Sequence, residues 1–118
     1  MSGAVEMKSK MFAVRIINLY KHLVSEKKEY VMSRQILRSG TSIGANIKEG
    51  EFAQSTADFI SKMSIALKEA GETEYWLELL SETDHITVVQ YESLKSDCKE
   101  LIKLLTSIIK TAKSNNNC

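Results

Sequence analysis

The sequence predicts an all-α fold, an antiparallel up-down-up-down four-helix bundle, and three observations carry that prediction. Proline is absent and glycine occurs only five times in 118 residues, which leaves few of the turn residues that a many-stranded sheet requires. Four segments repeat apolar residues at helical spacing. The connections between them are short, so consecutive helices must run antiparallel. The length corresponds to one domain, residues 1–118, with frayed ends at about 1–8 and 113–118. A core of this size is modest, so the chain should gain from self-association.

The first helix is expected from about Val5 to Ser25, with Phe12, Ala13, Ile16, Ile17, Leu19, Tyr20, Leu23 and Val24 covering more than one stripe. An apolar surface that wide implies burial on two sides. Ser25 to Glu29 forms the first turn, and the second helix is expected from about Tyr30 to Phe52. Gly40, Gly44 and Gly50 each cost that helix about 1 kcal/mol relative to alanine, a cost that close backbone approach explains. Ser55 caps the third helix, with Asp58 placed near its positive end. Its apolar set is Phe59, Ile60, Met63, Leu67, Ala70, Trp76, Leu77 and Leu80. Thr87-Val-Val-Gln90 is a capping box for the fourth helix, whose seam reads Tyr91, Leu94, Cys98, Leu101, Leu105, Ile108 and Ala112. Ile102 and Ile109 widen that seam to one side.

Composition excludes several function classes. The N-terminal stretch has no apolar signal-peptide core, and no segment approaches the length of a membrane span, so no membrane partner is expected. Cys98 and Cys118 lack metal-ligand spacing and read as free thiols of a cytoplasmic protein. Glu82-Thr-Asp-His85 has the spacing of one di-metal motif, but Leu19 stands where a partner motif for His22 needs an acid. His85 then belongs at the end of the third helix and Cys98 in the core. With no phosphate-cradling glycine loop either, the chain reads as non-enzymatic, without metal, cofactor or small-molecule substrate.

Net charge is +1, yet its placement is uneven. Residues 1–50 carry nine Lys or Arg against four Glu, a net of +5; residues 51–84 carry two Lys against eight acids, a net of −6; residues 85–118 stand at +2. Such a division suits self-association, or steering of a polyanion to one face. On the second helix Gln35, Arg38, Ser42, Asn46 and Glu49 fall in one sector, beside the apolar sector of Met32, Ile36, Ile43 and Ile47. Glu69 and Glu72 lie one turn apart on the third helix, and Arg38 could pair with either in a bidentate geometry. The preferred reading is a structural network of Gln35, Arg38, Ser42, Asn46, Glu49, Glu69 and Glu72, and the competing one is a ligand-binding stripe.

The stretch Arg38-Ser-Gly-Thr-Ser-Ile-Gly-Ala-Asn-Ile-Lys-Glu-Gly50, followed by Glu69-Ala-Gly-Glu-Thr-Glu-Tyr-Trp-Leu77, resembles the bacterial four-helix-bundle family encoded by intervening sequences within 23S ribosomal RNA genes. The likeness spans about residues 10–112 and rests on an Arg-x-x-x-Ser-Ile-x-x-Asn-Ile-x-Glu-Gly pattern. It implies a small cytoplasmic bundle, commonly a ring-shaped homopentamer, with no established enzymatic activity. A related branch, the accessory protein of diversity-generating retroelements, is a basic pentameric barrel that binds nucleic acid and works with a reverse transcriptase. The sequence departs from that branch in its near-neutral charge and acidic third helix. It also has Ile65-Ala66 or Ala66-Leu67 where the family usually places Gly-Ser.

Two functions remain open. One is a self-assembling module that presents a basic surface to RNA or DNA, with Arg15, Lys21, Arg34, Lys48, Lys103 and Lys110 as candidate phosphate contacts. Aromatic residues do not interleave with these cations as they do in single-strand binders. The other is a protein-interaction or assembly adaptor that uses the acidic third helix and the excess apolar surface of the first and fourth.

Overall fold

Capping residues and turns divide the chain into four helices: α1 (Gly3–Ser25), α2 (Met32–Gly50), α3 (Thr56–Glu82) and α4 (Val88–Asn116). The structure, a computed structural model, describes residues 3–116, and the side-chain position of Asn116 is outside that description. Cys118 and the last residues of the expected frayed tail also lie outside it. Each helix packs on its neighbours in chain order, α4 closes loosely back onto α1, and no Cα atoms of the diagonal pairs lie within 8 Å of each other. The result is an up-down-up-down bundle with principal extents of 51 × 21 × 20 Å.

The ends of the helices differ from expectation where local hydrogen bonding outweighs periodicity. Residues 3–8 continue α1 and bury Val5, so this part does not stand apart as a frayed end; residues 113–116 likewise continue α4. α2 starts at Met32 and stops at Gly50, inside the expected limits of Tyr30 and Phe52. Its first turn has no cap from Val31; instead the Glu29 carboxylate accepts from the backbone N–H groups of Val31, Met32 and Ser33 at 3.1, 3.0 and 2.7 Å. The Ser55 hydroxyl accepts from Asp58 N at 3.0 Å, and the Asp58 carboxylate accepts from Gln54 N rather than closing on Ser55. Thr87 and Gln90 form the complete reciprocal box, at 2.8 and 3.1 Å.

Phe12, Ile16 and Leu23 of α1, Ile36, Ile43 and Ile47 of α2, Met63, Leu77 and Leu80 of α3, and Cys98, Leu101 and Leu105 of α4 fill the core. Each large aliphatic chain so buried contributes about 1.5–3 kcal/mol relative to exposure. The α4 seam runs Leu101, Leu105, Ile109, with Ile108 only partly buried, because i+4 steps keep the row over α3. A Cβ added at Gly40 would sit 2.8 Å from both γ carbons of Ile16, so glycine there lets α2 lie close on α1. Gly71, in the middle of α3, has no such reason: a Cβ there would meet nothing within 4 Å. The burial on two sides expected of α1 is not met in the single chain: Ile17 is 37% exposed, Ala13, Tyr20 and Val24 are only partly buried, and Met7, Met11 and Val14 stand exposed on the side opposite the core.

Candidate functional site

The polar residues singled out on α2 and α3 meet where these two helices pack together. Arg38 spans two carboxylates rather than pairing bidentately with one: Nη1 donates to Glu69 Oε2 at 2.8 Å and Nη2 donates to Glu72 Oε2. Glu72 also accepts from the indole N–H of Trp76 at 2.9 Å. The Arg38 bond, then that indole bond, holds the Glu72 carboxyl below the usual carboxylate range, and Glu72 in turn raises the Arg38 guanidinium. Directly beneath, the buried hydroxyls of Ser39 and Thr73 lie 2.9 Å apart, and Thr73 Oγ1 is 2.8 Å from the Glu69 carbonyl. An indole one turn from a carboxylate is readable from spacing. The Ser39–Thr73 pair is not, because a short hydroxyl usually satisfies itself on its own helix.

Four members of the expected network stay outside it. Gln35 is exposed and forms no hydrogen bond with Arg38, Glu69 or Glu72. The Ser42 hydroxyl donates to the Arg38 carbonyl at 2.6 Å, and the Asn46 amide donates to the Ser42 carbonyl at 2.9 Å. Glu49 lies eleven residues, about 16 Å, along the helix from Arg38 and pairs with Lys62 at 3.2 Å. The shared sector therefore holds one inter-helix clamp and several local bonds. Its chemistry is that of a register lock between α2 and α3, since both carboxylates are committed to donors. Arg38 is half exposed, so Arg38→Ala should cost about 1 kcal/mol, a fall of about 5 °C in Tm, with no matching loss of RNA affinity. Unchanged melting together with lost RNA binding would overturn the clamp assignment.

Other reactive groups are held in quiet positions. Cys98 Sγ donates to the Ala70 carbonyl at 3.2 Å, and burial pushes its thiol up to about 12, which removes the thiolate at neutral pH. His85 Nδ1 lies 2.8 Å from the Thr83 hydroxyl just past α3. Among the described residues, no group of three or more His, Cys, Asp or Glu converges as a metal site, and no helix is long and apolar enough to cross a membrane.

The candidate phosphate contacts do not form one surface. Arg15 is tied to α4, donating to Asp97 at 2.6 Å and to Ser93 at 2.9 Å. Lys48 pairs with Glu51 at 3.3 Å and lies over the Phe52 ring. Lys21 and Arg34 are exposed near one end of the bundle, far from Lys103 and Lys110 on α4. Those two belong to a row that sequence reading passed over: Lys95, Lys99, Lys103, Lys110 and Lys113 share a sector about 80° wide over about 27 Å of α4. Lys95 lies over the Tyr91 ring and Lys99 pairs with Glu74 at 3.0 Å, leaving the other three exposed.

The family described as 23S rRNA-intervening sequence protein matches over residues 3–107. A crystal structure of a protein of unknown function from the S23 ribosomal protein family of Bacteroides thetaiotaomicron is 70% identical, with a TM-score of 0.89. The alignment covers 90% of this chain and 98% of that one. No curated protein matches the chain.

Proposed function

The chain belongs to the 23S rRNA-intervening sequence protein family, and from that premise we propose that it is a non-catalytic, self-assembling bundle that holds RNA or DNA on α4. The observation that carries the assembly is the outward stripe of α1: Met7 and Met11 are 61% exposed and Val14 is 51% exposed, on the face opposite the core. A contiguous apolar row on a small domain marks an interaction surface. The polyanion part rests on the α4 lysine row, whose length suits a run of phosphates and whose cations bind without reading sequence. A buried, protonated thiol suits work in the cytoplasm. The pentamer of the resembled family is the subunit number we adopt.

Light scattering tests the first part, with an expected mass of five times the 13.3 kDa chain. Fluorescence anisotropy with labelled single-stranded RNA, hairpin RNA and duplex DNA tests the second. With about three phosphate contacts per chain, affinity should fall about 40-fold between 50 and 200 mM salt. Lys103→Glu combined with Lys110→Glu should remove most of it. No binding at low salt by an intact oligomer would overturn the polyanion part. The adaptor reading would then take over, favoured by the exposed apolar groups Tyr30, Val31, Val88 and Val89 at the loop end of the bundle.

A further inference from the structure

We infer that the outer face of α3 in one copy docks on the outer face of α1 in the next, head to tail; this rests on the self-assembly reading and names its two surfaces. The α1 surface is the stripe of Met7, Met11 and Val14 beside a groove of about 630 Å³ between α1 and α2, whose lining includes the small residues Ala13, Gly44 and Ala45. The α3 surface carries Tyr75, 53% exposed, with Gly71 one turn before it, and Ile65, 40% exposed, at its edge. Gly71 has no packing reason within its own chain, since a Cβ there meets nothing. Close approach of a second copy supplies one.

Charge decides the pairing. Lys10 and Lys21 stand exposed on the α1 side, and Glu78 and Glu82 stand exposed on the α3 side, with no salt bridge to any of the four among the described residues. Docking α1 onto α1 would set a basic surface against itself, whereas docking α1 onto α3 sets basic against acidic. Height along the bundle agrees. Gly40 rests on Ile16 while its neighbour Ser39 bonds Thr73, so Ile16 and Thr73 lie at one level, and α1 and α3 run in the same direction. Counting from that level, copies related about an axis parallel to the bundle place Val14 opposite Gly71, Lys21 opposite Glu78 and Met7 beside Ile65. Lys68, between Ile65 and Tyr75, falls opposite Met11, where its aliphatic stem can cover the thioether.

Because α1 and α3 are diagonal in the bundle, each copy engages two neighbours through two different faces. Such heterologous contacts close into rings or run on as filaments. Both faces are exposed in the single chain, so Val14→Arg and Gly71→Arg should fold, which a circular-dichroism melt checks. Each variant alone should run at the single-chain mass. Mixed at high concentration, they should form one-to-one dimers of twice that mass and nothing larger, since each supplies the face the other lacks. Wild-type protein at single-chain mass would overturn the self-assembly reading itself. An oligomeric wild type whose Gly71→Arg variant keeps its mass, or a variant mixture that stays monomeric, would overturn this pairing alone.

Discussion

Gly40→Ala should lower the stability of the bundle by about 2 kcal/mol, a fall of about 8–12 °C in Tm for a domain of this size. Alanine is the better helix former by about 1 kcal/mol, so on helix propensity alone the substitution would stabilise. Packing reverses the sign. The new methyl would lie 2.8 Å from both γ carbons of Ile16 and 3.2 Å from its Cβ. Ile16 is fully buried and branched at Cβ, so its side chain has one favoured rotamer in a helix and nowhere to turn. The helices must separate instead, which loosens α1 against α2 along their contact. Gly50 gives the contrast. There an added Cβ would meet the terminal methyl of Met63, the free end of a flexible chain, so Gly50→Ala should change stability by less than about 1 kcal/mol. Urea melts of Gly40→Ala, Ile16→Ala and the double variant check the mechanism. The double variant should lose less than the two singles together, because removing the γ carbons makes room for the methyl. Strict additivity would overturn the steric account.

How much of this was legible depends on whether a residue's partner is local or distant. The helices and their order followed from periodicity, and the cost of three glycines in one helix already implied close backbones. The cap at Thr87 and Gln90 was readable because both partners sit within one turn. Arg38 with Glu69 and Glu72 was readable as well, since two acids one turn apart on a neighbouring helix face one cation. Distance along the helix defeated the rest of that stripe: Glu49 shares a sector with Arg38 but meets a different part of α3. Arg15 looked like a free cation because nothing in the sequence shows that Asp97 and Ser93, on the helix that closes the bundle, would reach it. The wide apolar surface of α1 was read from residues such as Ala13, Tyr20 and Val24, which border the core, whereas the exposed stripe of Met7, Met11 and Val14 was not part of that reading.

Glu29→Ala should cost about 2 kcal/mol and flatten the acid limb of the stability curve. Val31, Met32 and Ser33 open α2 with backbone N–H groups that have no partner within the helix. The Glu29 carboxylate accepts from all three, at 2.7–3.1 Å, and places its negative charge at the positive end of the helix dipole. Among the described residues no other side chain caps this end. The approach is set by Lys28 at φ 53°, which turns the chain back so that Glu29 N can donate to the Leu23 carbonyl at 2.9 Å. Burial works to raise the Glu29 carboxyl, but the bonds from Ser33, Met32 and Val31 outweigh it, and the charge of His85 adds to them, so its pKa falls below 4.5. A carboxyl lowered on folding stabilises fully above its unfolded value and loses that contribution as pH drops through the folded one. Wild-type protein should therefore lose part of its stability below about pH 4.5, and Glu29→Ala should lack that part at every pH. Glu29→Gln separates the causes: its amide oxygen can still accept, but without charge, so it should recover some stability at pH 7 and none of the pH dependence. Equal Tm values for wild type and Glu29→Ala at pH 7 would mean that water caps this helix as well as the carboxylate does.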